Sequence, residues 1–232
     1  MHSWPTKELD LQVAAQLKHA YARERHAKPP FITISRQYGC DGHDLANTLV
    51  EKLNQRESEH PWRIFDRTAL LQASDPSELN EDMLALLDNY GHSEFQSYIQ
   101  EAIFGEGSQY KTIHNMAKVM RVLARGGHVV FVGGGAAVLT RDFGTGLHFR
   151  LFAPLEWRIR NHARRWNLDP AKARENVVKQ QDKREAFLKT YLAESLDNLQ
   201  LYDMAVNNAR VPVAEFAELA LAFMWKKQGR DH

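Results

Sequence analysis

The residues best placed to do chemistry lie in one short stretch, FITISRQYGCDGHDLA, at residues 31–46. Gly39 and Gly42 follow an apolar run, and Asp44 lies where an amphipathic helix is predicted to begin. A strand, a glycine-rich turn and a helix in this order can bind phosphate, because N–H groups in the turn and at the helix N-terminus point at the anion. The stretch therefore predicts a phosphate-binding loop.

The same stretch departs from the usual phosphate-loop pattern GxxxxGK[ST]. Aligned on Gly42, that pattern puts Gln37 at its first glycine, His43 at its lysine and Asp44 at its hydroxyl residue. The motif alone therefore leaves open the alternative of an ordinary strand, turn and helix that binds no phosphate.

Cationic side chains crowd a second part of the chain, and phosphoryl transfer needs positive charge around the moving group. They are Arg158, Arg160, Arg164, Arg165, Lys183 and Arg184. Helical spacing prevents all of them from facing one site, and a solvated basic helix face is the alternative for any one of them.

Other reactive side chains are less informative. Asp66 ends a predicted strand, where its carboxylate could meet substrate or magnesium, or could cap the helix predicted from Arg67. Cys40 is the single cysteine, so it forms no internal disulfide, and a small turn residue is favoured over a redox sensor. The histidines have no spacing typical of a metal site.

The composition excludes several classes of protein. The chain has 232 residues with 44% hydrophobic and 25% charged content, which is ordinary for a globular protein. Its 30 basic and 29 acidic side chains leave a net charge of +1, so no overall attraction to nucleic acid or to a membrane surface is expected. No signal peptide and no run of roughly 18 apolar residues are found, so a cytoplasmic protein is predicted.

Predicted strands and helices alternate along the chain. Strands are expected near residues 31–35, 62–66, 128–135, 146–154 and 202–209, and helices near residues 9–24, 42–54, 112–125, 155–166, 170–192 and 213–226. This order predicts an α/β fold with a parallel sheet and helices on both faces. The glycine-rich loops then lie at the strand ends, where such sheets bind ligands.

Several segments together resemble the cytidylate kinase-like family of P-loop nucleoside monophosphate kinases. ITISRQYGCDGHDLA is similar to the family's opening loop, FDRTALL to its second strand, and HVVFVGGGAAVL to its third. HFRLFAPLEWRIRNHARR, QDKREAFLKTYL and LYDMAVNNARVPVAEFAEL are similar to later elements, in the same order. The resemblance extends over residues 31–219.

The resemblance implies a domain organisation. The fold would be a P-loop NTPase α/β/α sandwich with a five-stranded parallel sheet, at residues 29–232. Residues 70–110 would be a helical insertion that covers the substrate, residues 158–195 a lid, and residues 1–28 an added N-terminal helix. That helix could pack on the sheet or join two subunits, so a homo-oligomer is left open.

The resemblance also implies an activity, the phosphorylation by ATP and Mg²⁺ of a nucleoside monophosphate, with CMP or dCMP expected. The donor-binding loop would comprise Arg36, Gln37, Tyr38, Gly39, Cys40, Asp41, Gly42, His43 and Asp44. The metal ligands would be Asp44 and Asp66. The acceptor site would comprise Asp66, Arg67, Gly133, Gly134 and Gly135. The catalytic lid residues would be Arg158, Arg164 and Arg184, with Asp182 orienting Arg184 or binding substrate.

Gln37, Cys40 and Asp41 differ from the family pattern, but two other departures bear most on the chemistry. His43 replaces an arginine, and neutral imidazole is a weaker phosphate ligand than guanidinium. Gly134 replaces an arginine that the family aims at the acceptor phosphate. A catalytically weakened or inactive relative that binds a nucleotide or another phosphorylated ligand is therefore one alternative. A P-loop kinase for a different small acceptor is the other.

Overall fold

A computed structural model describes residues 29–56, 59–73 and 108–229. Its elements in chain order are β1 (Phe31–Arg36), α1 (Gly42–Arg56), β2 (Arg63–Asp66), α2 (Arg67–Gln72), α3 (Ser108–Gly126), β3 (Val129–Val132), α4 (Ala136–Leu139), β4 (Gly146–Phe152), α5 (Leu155–Trp166), α6 (Pro170–Leu192), a 3₁₀ helix (Leu199–Leu201), β5 (Met204–Asn207) and α7 (Val213–Lys227). The predicted helix at residues 9–24 and most of the predicted insertion lie outside the described residues.

The strands form one parallel sheet in the order β2-β3-β1-β4-β5, which confirms the predicted five-stranded α/β architecture. The central strand β1 pairs with both β3 and β4, with Ile32 in register with Val130 and Leu147. The loop after β1 and the loop after β3 therefore lie side by side at the carboxyl edge of the sheet, where ligands bind in this class of fold.

Each face of the sheet packs against its own layer of helices. Phe31, Phe65 and Phe131 are fully buried on the face covered by α2, α3 and α6. On β1, Ile32 and Ile34 point away from the face of Phe31 and pack on the opposite face of the sheet, against α1 and α7. Because both faces are buried, β3 is a continuous apolar run, VVFV, and even Thr33 of β1 is fully buried. The two cores fix the positions of the loops that follow these strands.

The helices that approach the site have clear start and stop signals. Asp169 caps α6 by accepting hydrogen bonds from the backbone of Ala171 and Lys172, and Pro170 occupies the first turn. Asn167, with φ of 49°, ends α5 in the left-handed conformation. The predicted lid at residues 158–195 thus consists of α5, α6 and a short connection.

Within the described ranges, no helix is both long and apolar enough to cross a membrane.

Candidate functional site

The loop between β1 and α1 has four backbone N–H groups with no acceptor among the described residues, those of Gly39, Gly42, His43 and Asp44. Three of these residues form the first turn of α1, where the N–H groups have no partner within the helix. The partial positive charge of the helix N-terminus adds to the same field. The loop can therefore accept an anion.

The other loop amides are already bonded. The N–H of Tyr38 donates to Gln181 Oε1 at 2.8 Å, and that of Asp41 donates to Asn208 Oδ1 at 2.8 Å. The N–H of Cys40 donates to the carbonyl of Gln37 at 3.2 Å. The side chain of Gln37 accepts from the N–H of Ala153 at 3.0 Å. The loop is thus held by α6, by the chain after β4 and by the chain after β5.

The two loop carboxylates face α5. Asp41 Oδ1 accepts from Asn161 Nδ2 at 2.6 Å and from Arg165 Nη2 at 2.7 Å. Both oxygens of Asp44 bond to the same guanidinium of Arg165. Gly39 has a φ of 94°, and a Cβ there would lie 2.7 Å from the carbonyl oxygen of Arg158. A side chain at this position would therefore push α5 off the loop.

The side chain of Arg36 connects this loop to the loop after β3. A Cβ on Gly42 would lie 3.0 Å from Arg36 Cγ and Cδ, and a Cβ on Gly133 would overlap Arg36 Nη1. The side chain of Arg36 therefore passes the start of α1, and its guanidinium ends against Gly133. A side chain at Gly133 would displace it.

Arg184 from α6 lies beside Arg36. Its Nη1 donates to the carbonyl of Arg36 at 3.1 Å, and its guanidinium lies 4.7 Å from the centre of the Tyr38 ring. Burial, then the charge of Arg184, lowers the pKa of Arg36 to about 9, and burial lowers the pKa of Arg184 to about 10. Both side chains remain charged at neutral pH. Neither is ion-paired with a carboxylate of the described residues.

A cavity of about 370 Å³ opens next to this pair. Its size is within the usual range for small-molecule sites. Its cationic lining is Arg36, Arg67, Lys183 and Arg184, its aromatic lining is Tyr38, Phe187 and Tyr202, and none of the described residues that line it is acidic. The guanidinium of Arg67 lies 4.7 Å from the centre of the Phe187 ring. The cavity suits a ligand with a negative charge and an apolar or aromatic portion.

Three consecutive glycines in the left-handed conformation form one wall of the cavity, with φ of 76°, 67° and 79° at Gly133, Gly134 and Gly135. A Cβ at Gly134 would point at Met120 Cε (3.4 Å) and Leu70 Cδ1 (3.6 Å), both fully buried side chains. An arginine placed here would start toward the core.

His43 and Cys40 are both uncharged in this environment. Desolvation, then the positive charge of Arg36, lowers the pKa of His43, so its imidazole is neutral at pH 7. Burial raises the pKa of Cys40 to about 12, which leaves the thiol protonated and poorly nucleophilic. The loop therefore provides hydrogen bonds from its amides, while the formal charge comes from Arg36 and Arg184.

Asp66 caps α2, with Oδ1 accepting from the N–H of Ala69 at 2.9 Å. Its negative charge also acts on Arg36 and on His43, so the carboxylate faces the region between the two loops. Within residues 29–56, 59–73 and 108–229, no three His, Cys, Asp or Glu side chains cluster so as to hold a metal ion. A magnesium ion would therefore need phosphate or water oxygens as further ligands.

Three predicted lid residues do not reach the cavity. Arg158 is buried, donating to the carbonyls of Ala153 and Tyr38 at 3.0 and 3.1 Å, and so supports the loop backbone. Arg164 is exposed and donates to Asn161 Oδ1. Asp182 is exposed and makes no contact with Arg184, because residues two apart on a helix face different directions. The phosphate-binding roles of Arg158 and Arg164, and the role of Asp182 in orienting Arg184 or binding substrate, remain predictions.

Gln181, Asn161 and Asn208 contact the loop directly but were not predicted from the sequence. All three are more than nine-tenths buried. Gln181 could have been found, since a residue three positions before Arg184 lies on the same face of a helix. Asn161 and Asn208 carried no comparable signal, because each meets the loop through long-range packing.

The parallel sheet, the loop before α1 and the cationic cavity define an α/β protein with a candidate anion-binding site at the carboxyl edge of its sheet. The family model for the cytidylate kinase-like family matches residues 31–210, and the chain belongs to that family. Family membership supports a kinase-like phosphotransferase.

The chain also matches several solved structures. An uncharacterized protein from Eubacterium ventriosum is 16% identical with a TM-score of 0.63, over 86% of this chain and 99% of that chain. A shikimate kinase from Bacteroides thetaiotaomicron is 12% identical with a TM-score of 0.44, over 85% and 98% of the two chains. A dephospho-CoA kinase from Campylobacter jejuni is 12% identical with a TM-score of 0.33, over 87% and 98%. No curated protein is significantly similar to this chain.

Proposed function

We propose that the protein transfers the γ-phosphate of ATP, with Mg²⁺, to a small phosphorylated acceptor, and that the acceptor is a nucleoside monophosphate such as CMP or dCMP. The family supports the class of reaction, and the cavity supports an acceptor of this size and charge. The donor binds at the loop between β1 and α1, and the acceptor binds in the cavity beside it.

One observation carries this proposal: the largely buried guanidiniums of Arg36 and Arg184 lie together between the loop amides and the cavity. Two adjacent cations without a carboxylate partner among the described residues repel each other, and the charge of Arg184 adds to burial in lowering the pKa of Arg36. A phosphoryl group between them would relieve that repulsion. It would also place the cations where negative charge spreads over the equatorial oxygens during transfer.

The remaining residues have separate roles. The amides of Gly39, Gly42, His43 and Asp44 bind the donor phosphates. Arg67 and Lys183 bind the acceptor phosphate, and the aromatic side chains of the cavity contact the rest of the acceptor. When bound, Mg²⁺ would supply neutralisation of the negative charge on the donor phosphates. Asp66 is the better ligand for it, because both oxygens of Asp44 are taken by Arg165.

A nucleotide-binding relative without kinase activity is the second candidate. It is favoured by the neutral His43, which adds no charge to the donor loop, and by the pairing of Asp44 with Arg165. Such a protein would bind ATP through the loop amides and leave it intact. A kinase for a different small acceptor would instead use the same cations on another phosphorylated molecule.

The deciding experiment mixes the purified full chain with Mg-ATP and each nucleoside monophosphate in turn, and measures ADP and the phosphorylated product. Acceptor-dependent ADP with CMP or dCMP is expected. ATP binding without transfer to any nucleoside monophosphate would overturn the proposed acceptor. A panel of other small phosphate monoesters would then separate the binding protein from the kinase with a different acceptor.

Arg36→Met and Arg160→Met form a matched pair for this assay. Arg160 is exposed on α5 and does not line the cavity. Loss of one charge-assisted contact at the reacting group should lower kcat by about 10²-fold or more in Arg36→Met, while Arg160→Met keeps the activity. Equal activity of the two variants would remove Arg36 from the reaction.

A further inference from the structure

Gln181 and Asn208 accept hydrogen bonds from the loop amides of Tyr38 and Asp41, and neither acceptor residue lines the cavity. Both side chains are more than nine-tenths buried, at 8% and 5% exposure. Each is an uncharged acceptor directed at a single backbone N–H group. Such a bond fixes the orientation of the peptide that contains it, because the donor must point at the acceptor.

The contacts from α6 lie on both sides of Gln37. Arg184 donates to the carbonyl of Arg36, and Gln181, one turn earlier on the same helix, accepts from the N–H of Tyr38. The helix therefore holds the two peptide groups at the point where β1 becomes the loop. On the far side of the turn, Asn208 holds the N–H of Asp41, just before α1 begins.

We propose that Gln181 and Asn208 are positioning residues that hold the loop in its phosphate-binding conformation, an inference that rests on the proposed function. By accepting from Tyr38 and Asp41, they orient the loop so that the amides of Gly39, Gly42, His43 and Asp44 stay available to the donor phosphates. Neither side chain touches the phosphates. They act only through the backbone of the loop.

The side-chain amide of Gln181 provides a specific test. Its Oε1 accepts from Tyr38, and its Nε2 donates to Glu185 Oε1 at 2.7 Å. In Gln181→Leu both bonds are lost. In the double variant Gln181→Glu with Glu185→Gln, the acceptor for Tyr38 is restored, the second bond is reversed in direction, and the net charge is unchanged.

Equilibrium binding of ATP and of inorganic pyrophosphate to the full chain is measured for the wild type and both variants. Gln181→Leu leaves a buried N–H without its acceptor, so affinity for both probes should fall about tenfold or more. The double variant should recover affinity to within about threefold of the wild type, since its acceptor is restored. Hydrogen exchange at the Tyr38 amide should rise in Gln181→Leu and return to the wild-type rate in the double variant.

Asn176→Leu is the matched control, an amide-to-apolar change on α6 at a residue outside the cavity lining. It should bind both probes like the wild type. Wild-type affinity in Gln181→Leu, or a loss that the double variant fails to recover, overturns the positioning role while the kinase proposal stands. A wild-type protein that binds neither probe overturns the kinase proposal and the positioning role with it.

Discussion

The guanidinium of Arg36 lies against the α-carbon of Gly133, in the space that the Cβ of any other residue would occupy. The contact joins the ends of two adjacent parallel strands, β1 and β3. A glycine at this position therefore serves two purposes. It adopts a left-handed φ of 76°, and it leaves room for the cation that the proposed reaction needs.

Gly133→Ala and Gly134→Ala should separate these two purposes. Both variants place a Cβ on a left-handed residue, which costs about 1–2 kcal/mol of unfolding free energy. Only Gly133→Ala displaces Arg36, because the Cβ of Gly134→Ala meets Met120 and Leu70 at ordinary contact distances. We expect pyrophosphate binding to weaken about tenfold in Gly133→Ala and to change little in Gly134→Ala. Isothermal titration measures the affinity, and denaturant unfolding measures the stability. Equal losses of affinity in Gly133→Ala and Gly134→Ala would contradict the role given to Arg36.

His43 should make ATP binding depend on pH. Its pKa is lowered below the ordinary 6.5 by desolvation and Arg36, so the imidazole is neutral at pH 7 and gains a proton only at lower pH. A bound phosphate favours the protonated form. Affinity for ATP should therefore rise as pH falls below about 6.5, and His43→Arg should bind ATP more tightly at pH 7 by about 1–3 kcal/mol.

His43→Gln is the control. Its glutamine cannot gain a proton, and the protonation of ATP itself affects the variant and the wild type equally. The difference in ATP affinity between the wild type and His43→Gln, measured from pH 7.5 to 5.5, isolates the histidine. Parallel pH profiles, together with unchanged affinity in His43→Arg, would mean that His43 does not face phosphate.

Arg165→Gln should free the carboxylate of Asp44. The side chains of Arg165 and Asp44 are 38% and 45% exposed, so their pairing stabilises the protein by no more than about 1 kcal/mol. We expect a small loss in unfolding free energy and up to about fivefold tighter binding of Mn²⁺ in the presence of ADP, measured by electron paramagnetic resonance. Arg160→Gln controls for the lost charge on α5. Weaker metal binding in Arg165→Gln would show instead that Arg165 orients Asp44 for the metal.

His148 should make stability depend on pH at a place far from the donor loop. Burial lowers the pKa of His148 to about 4; the negative charge of Asp203 opposes this shift, and the positive charge of Lys227 adds to it. Its Nδ1 lies 2.8 Å from Thr33 Oγ1. The unfolded chain gains a proton near pH 6.5 and the folded chain only near pH 4. The contribution to stability is therefore complete above pH 6.5 and is lost between these values, up to about 3 kcal/mol.

His148→Asn removes this titration and keeps a polar partner for Thr33. The free energy of unfolding, measured with denaturant at pH 7 and pH 4.5, should decrease less between these two pH values for the variant than for the wild type. The same decrease in both proteins would contradict a neutral buried His148.

Much of the fold follows from local patterns. The alternation of apolar strands with amphipathic helices predicted five parallel strands, and the chain has them, because both faces of such a sheet must be covered. The helix predicted from residue 170 begins there as α6, with Asp169 as its cap, and Asp66, for which a helix-cap role was left open, caps α2. These signals lie within a few residues of the structure they determine.

The candidate site is less local. The loop itself was predicted, but Arg36 was assigned to the donor loop, whereas its guanidinium reaches Gly133 and the cavity. Asp182 was expected to orient Arg184, whereas it is its neighbour Gln181 that lies on the face of α6 in contact with the loop. Arg158 was expected to reach for phosphate, and it bonds two backbone carbonyls. Each difference depends on the direction in which a side chain leaves its element.

By itself, the sequence determined the order of the elements, the glycine-containing loop between β1 and α1 and the family, because hydrophobic periodicity, caps and glycine positions act over short distances along the chain. Only the tertiary structure decided which cations converge on the cavity and which residues hold the loop. The bond from Tyr38 to Gln181 spans 143 positions in the chain. Contacts of this kind depend on the rotation and packing of whole helices, which no short stretch of sequence specifies.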